Sequence, residues 1–128
     1  MKTVRVVAAV IREKDKIFAT ARGYGEFKGQ WEFPGGKVEE GESLYTAIER
    51  EIKEELKCSI KAIEIIGENR HEYEKIIVNL TAIKCNLVEG EPVADEHSKL
   101  IYLNKENLES LVWAPADIPL VKKVINIK

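Results

Sequence analysis

Glu51, Glu54 and Glu55 are the residues in this chain whose type and spacing could do chemistry, and a helix must carry them. Leu44, Ile48, Ile52 and Leu56 recur every fourth position behind Ser43, a residue suited to cap a helix, so the spacing predicts a helix over 43–57. At about 100° per residue from Leu44, Ile48, Ile52, Tyr45 and Leu56 fall at roughly 40° to 120°, and Glu51, Glu55 and Glu54 at roughly 340°, 20° and 280°. The carboxylates therefore adjoin the apolar stripe, while Lys53 and Thr46 occupy the side opposite it. Glu51 and Glu55 are a like-charge pair one turn apart, which costs a helix about 0.3 kcal/mol unless something cationic offsets it. A hard divalent cation does so well, since Mg²⁺ takes a few carboxylate oxygens together with waters and phosphate oxygens. Arg50, one turn before Glu54, could neutralise or orient the cluster. The competing reading is a solvated acidic face laced with ion pairs. The angular position, and the glycine-bearing loop in front of the helix, favour the metal.

The spacing is also that of a known motif. Gly36, five residues, Glu42, seven residues, Arg50-Glu51-Ile52, one residue and Glu54-Glu55 resembles the Nudix box. Glu32-Phe33-Pro34-Gly35-Gly36-Lys37 resembles the segment that precedes the box in MutT-type members. The motif ends on Lys57 and Cys58 where the family has glycine and an aliphatic residue, so a helix without the usual glycine C-cap is expected. The resemblance implies an α/β (α+β) Nudix fold, a mixed β-sheet sandwiched between helices. It further implies Mg²⁺, with Mn²⁺ as a substitute, held by Glu51, Glu54, Glu55, Glu96 and the Gly35 carbonyl. Lys37 would stabilise phosphate charge, Arg50 would orient Glu51, and either Glu51 or Glu42 would serve as base. Water attack on the diphosphate linkage of a nucleoside triphosphate would then yield a nucleoside monophosphate and pyrophosphate.

The remaining elements must hold that helix and a nucleotide together. Residues 3–11 are a β-rich, nearly continuous apolar run, as expected of a central strand buried on both faces. Glu13–Lys16 reads as a polar turn into a second strand, Ile17–Ala21, forming an early hairpin. Residues 23–30 carry three glycines and no period, so they form a loop. Trp31–Phe33 is a short strand, and Gly35-Gly36 a loop where backbone can approach a phosphate or present a carbonyl. Ser59–Arg70 and Ile76–Cys85 alternate as two strands of a long hairpin turning near Glu72–Lys75. Leu100–Leu103 is a short strand, Asn104–Val112 a short helix, and a second helix opens at Pro115–Pro119 with Leu120, Val121, Val124 and Ile125 as its apolar face. Arg22, Phe33, Lys75 and Asp117 are the candidates for the sugar and base pocket. Asp117 stands where the C-terminal element of MutT-like proteins reads the base; it could equally cap the second helix.

Composition bounds the alternatives. A chain of 128 residues suits one domain over 1–128. With 20 basic against 22 acidic residues there is no basic field of the kind that holds duplex nucleic acid, whereas a mononucleotide remains compatible. Cys58 and Cys85 form no paired motif, and no N-terminal apolar run suits a signal peptide or membrane span, so a reduced cytoplasmic protein without a membrane partner is expected, as monomer or weak dimer. Three functions stay open. A triphosphate pyrophosphohydrolase, acting on oxidised dGTP-type or on cytidine nucleotides, suits the small size and the Pro115–Pro119 segment. The same chemistry on a dinucleotide polyphosphate or nucleoside diphosphate sugar would call for insertions this chain lacks. A nucleotide-binding module without hydrolysis would call for lost box carboxylates.

Overall fold

The computed structural model describes residues 1–23, 25–93 and 97–127, the side chains of 97 and 98 excepted. Seven strands form one mixed sheet: β1 (Lys2–Glu13), β2 (Lys16–Arg22), β3 (Trp31–Glu32), β4 (Gly35–Lys37), β5 (Ser59–Glu72), β6 (Ile76–Glu89) and β7 (His97–Asn104). Two α-helices, α1 (Leu44–Leu56) and α2 (Ile118–Ile125), and a 3₁₀ helix (Lys105–Ser110) complete it. The apolar run at the N-terminus is indeed central, because β1 is covered on both faces. Val7, Ala9 and Ile11 pack toward α1 with Ile48, Ile52 and Leu56, and Ala8 and Val10 pack toward α2 with Leu120, Val121 and Val124. Strand alternation thus feeds two cores from one strand, giving a sheet between helical layers.

The strand pairing creates an opening. Along one edge β1 pairs with β6 in parallel over nearly its whole length, from Lys2↔Ile76 to Arg12↔Asn86. Its other edge meets β2 only at Arg12↔Ile17 and Glu13↔Lys16 before the two strands part. The predicted hairpin is therefore confined to its turn. Gly35–Lys37 then occupies the vacated edge, with Ala8↔Gly35 and Val6↔Lys37, so the segment expected to be a loop is a short strand. Gly35 is required there: a Cβ would stand 1.9 Å from the Val7 carbonyl oxygen and 2.9 Å from Ala8 Cα.

Three local expectations are corrected. Tyr45 is exposed, its hydroxyl donating to the Ile63 carbonyl at 3.3 Å, and Ala47 takes its place in the buried stripe. The short helix expected over Asn104–Val112 is a 3₁₀ helix confined to Lys105–Ser110. The end of α1 does have a left-handed cap, but Lys57 adopts it (φ 58°) without glycine, and Cys58 then enters the core as a small apolar group.

Candidate active site

α1 is held at its N-terminus by Ser43, whose hydroxyl accepts from Thr46 N at 3.0 Å. About two turns on, Arg50 is the hub of the acidic cluster. Its Nε and Nη2 donate to the two oxygens of Glu42 at 2.6 and 2.9 Å, a bidentate pair. Its Nη1 donates to Glu51 at 2.9 Å and Glu54 at 3.2 Å and lies 3.6 Å from Glu39, while Nη2 also reaches the Lys37 carbonyl at 3.1 Å. One guanidinium therefore faces four carboxylates. The paired Arg50 holds Glu42 down at about 2, helped by the Glu39 N–H, and the same pairing raises Arg50 above its ordinary value.

Glu51 and Glu54 differ in setting. The Glu51 side chain is 13 % exposed and Glu54 59 %. The reason is Gly36: a Cβ on it would stand 2.4 Å from the Glu51 carboxylate, so the glycine backbone forms the floor on which that carboxylate lies. Glu55 is half-buried beside the stripe, as its angular position required. Among the described residues no three His, Cys, Asp or Glu side chains enclose a point suited to an ion, because Glu51 and Glu54 both turn onto Arg50. The donor chemistry nevertheless fits a hard divalent cation: every side-chain donor is a carboxylate oxygen, and four carboxylates against one arginine leave negative charge in excess. Glu96 lies outside the described residues.

Behind Gly36 the opening between β1 and β2 widens into a cavity of about 610 Å³, a volume typical of small-molecule sites. Arg22, Phe33, Lys75 and Asp117 all line it, as do Gly35 and Gly36. Lys37 is exposed just beyond its rim on β4. The sequence did not point to Glu32 and Tyr73, which also line the cavity. Glu32 accepts from Arg22 Nη2 at 3.0 Å. An acidic residue between two aromatics, and a tyrosine in an otherwise charged turn, were the available signals.

Asp117 is only 5 % exposed. It makes no capping bond to α2; its Oδ2 accepts from Phe33 N at 3.0 Å, tying the C-terminal segment to β3. Burial pushes its carboxyl up to about 7, against the pull of the Phe33 N–H, with Glu32 adding to the rise and Arg22 opposing it. The folded state thus binds this proton more tightly than the unfolded chain. Stability from this group is present below the unfolded value of 3.8 and declines as pH rises toward about 7. The loss is on the order of 4 kcal/mol. The melting temperature is expected to fall from about pH 4 to about pH 7, and Asp117→Asn to flatten that fall. Equal slopes in both proteins would reject the assignment.

With this geometry in view, the chain matches the NUDIX domain over residues 1–124. It is 35 % identical over 129 aligned positions to the CTP pyrophosphohydrolase of Escherichia coli strain K12, covering 100 % of this chain and 96 % of that one. It is 31 % identical to the 8-oxo-dGTP diphosphatase of Haemophilus influenzae, covering 98 % of this chain and 93 % of the other. Among solved structures, the E. coli ORF135 protein superposes with a TM-score of 0.86 at 36 % identity, over 96 % of this chain and 89 % of that one. A domain match across nearly the whole length, with a relative aligned over the whole chain and a shared fold, means that this chain belongs to the Nudix family and is a Nudix hydrolase.

Proposed function

We propose that the protein hydrolyses a nucleoside triphosphate to a nucleoside monophosphate and pyrophosphate with Mg²⁺ as its working ion, divalent metal ions being general in this family. Relatives named for CTP and for 8-oxo-dGTP support a triphosphate of the cytidine or oxidised-guanine type. The observation that carries the reading is the double use of Gly36, which lines the cavity and floors the Glu51 carboxylate. A nucleoside in the cavity therefore delivers its phosphates to the acidic cluster.

Glu51, Glu54, Glu55 and the Gly35 carbonyl, with Glu96, would hold Mg²⁺, which when bound neutralises polyphosphate charge and acidifies water. Glu51 is the base in this reading. Both Glu42 oxygens are committed to Arg50, whereas Arg50 takes Glu51 through Oε1 and leaves Oε2 beside Gly36. Glu51 takes the proton of the attacking water, the new P–O bond forms, and the anhydride P–O bond breaks with its electrons leaving on the departing phosphate. Arg50 fixes the Glu51 rotamer, and Lys37 offers its ammonium to the departing charge. In the cavity Phe33 supplies an apolar face against Trp113, 4.7 Å between ring centroids, and Asp117 reads an N–H on the base. Arg22 and Lys75 add cations for sugar and phosphate oxygens.

A cytoplasmic setting suits the two cysteines, both of which are buried free thiols. Among the described residues no helix is long and apolar enough to cross a membrane.

The deciding experiment is product analysis with ordinary and oxidised nucleoside triphosphates, a dinucleotide polyphosphate and a nucleotide sugar. The expected result is pyrophosphate release from one triphosphate, abolished by EDTA and restored by added Mg²⁺. Turnover of only the dinucleotide or the nucleotide sugar would overturn the triphosphate reading.

A further inference from the structure

Asp117 stands on a short segment shaped from within by Pro115 and by its own N–H, which donates to the Ala114 carbonyl at 2.9 Å, and positioned from without by two neighbouring strands. Residues 114–117 precede α2, a helix of 8 residues, and the Asp117 carboxylate leaves its capping role undone. On one side the segment is bound to β3, with Ala114 N donating to the Trp31 carbonyl at 2.8 Å and Phe33 N to Asp117. On the other side, two side chains at the end of the β5 hairpin grip a single residue. Asn69 Nδ2 donates to the Ala116 carbonyl at 2.9 Å, and Ala116 N donates to the Tyr73 hydroxyl at 3.1 Å. Both backbone polar groups of the residue next to Asp117 are thus taken from one direction.

Tyr73 is itself fixed. Its ring lies 5.5 Å from that of Phe27 and 4.6 Å edge-on from His71. Because the hydroxyl oxygen accepts from Ala116, its proton is left to donate elsewhere, and the residue lines the same cavity as Asp117. Burial raises the Tyr73 hydroxyl above its ordinary value, so it stays protonated at neutral pH.

We propose that Tyr73 and Asn69 are positioning residues that set how far the Asp117 carboxylate reaches into the cavity, and that they thereby govern nucleobase binding in the reaction. The inference rests on the reading of Asp117 as the base contact. The bonds of Ala114 N and of the Asp117 carboxylate tie the segment to β3 alone; the grip on Ala116 adds a second support from the hairpin and sets the depth of the carboxylate in the cavity. Selectivity for the base is accordingly distributed between the C-terminal segment and a hairpin far from it in sequence.

The test is steady-state kinetics at pH 8, where Asp117 is ionised, with the best triphosphate substrate. Tyr73→Phe keeps the ring and its packing and removes only the hydroxyl; Asn69→Ala supplies an independent variant on the other side of the peptide, at a residue that does not line the cavity. Each is expected to raise KM about tenfold with kcat within twofold, the size of one lost hydrogen bond. Each is also expected to add nothing to Asp117→Asn, because it acts through that carboxylate. Additive effects in the double variants, or a fall in kcat at unchanged KM, would overturn the inference. If Asp117→Asn raises KM and neither hairpin variant does, positioning alone fails. If Asp117→Asn leaves KM unchanged, the base-contact reading fails and this inference with it. Circular dichroism melting confirms that each variant is folded.

Discussion

Glu51→Gln is expected to lower kcat about a thousandfold while leaving the fold intact, since it removes a base and weakens a ligand at once. Glutamine is nearly isosteric, and its amide oxygen can still accept from Arg50 Nη1 where Glu51 Oε1 now does at 2.9 Å. The side chain also keeps its place on Gly36. KM should therefore change little, and the melting temperature should stay within a few degrees of the parent. Single-turnover hydrolysis under saturating Mg²⁺ measures this directly. A variant retaining more than about a tenth of parental kcat would remove Glu51 from the chemistry and return attention to Glu42.

The second large effect falls on stability. Gly35→Ala should cost more than about 4 kcal/mol, because the new Cβ meets only backbone and nothing there can swing away. The contacts are the Val7 carbonyl oxygen at 1.9 Å, Val7 C at 2.8 Å and Ala8 Cα at 2.9 Å. Relief requires β4 to leave the edge of β1, which takes the cavity floor with it. Gly36→Ala is the control. Its Cβ meets the end of the Glu51 side chain at 2.4 Å, so that variant should fold and lose activity. Urea denaturation distinguishes the two, and a Gly35→Ala protein as stable as the parent would show that β4 does not need this approach.

These outcomes separate what local sequence carries from what only the fold supplies. The helix 44–56 was legible because its apolar residues repeat at the helical period, and the same projection put Glu51 beside the stripe, where it is half-buried. Tyr45 was misplaced although its angle falls between those of buried Ile52 and Leu56, because it stands in the first turn of α1, where its hydroxyl reaches the Ile63 carbonyl at the surface. β4 was invisible, since Gly-Gly-Lys has no strand propensity and pairs only because β2 abandons the edge of β1. Asp117 was legible as a base contact or a cap; the cap is absent because its carboxylate accepts instead from Phe33 N, a partner 84 positions away. The grip of Asn69 and Tyr73 on Ala116 was beyond reach for the same reason: backbone atoms of one segment meet side chains of another, and no pattern in either announces it.

The parallel pairing of β1 with β6 also bears on how the molecule comes into being. Each partner across that ladder is 74 positions distant, as Lys2 and Ile76 or Arg12 and Asn86 show. On a ribosome the first strand emerges early, yet one entire edge of it stays without a partner until the chain has grown past residue 86. Closing so long a loop must precede any return from the contacts it allows, so the ladder belongs to the slow, high-contact-order class of folding events. The glycine-floored candidate site, built on the opposite edge of the same strand and lined by Asp117, thus waits on segments that follow β1 by more than 70 positions.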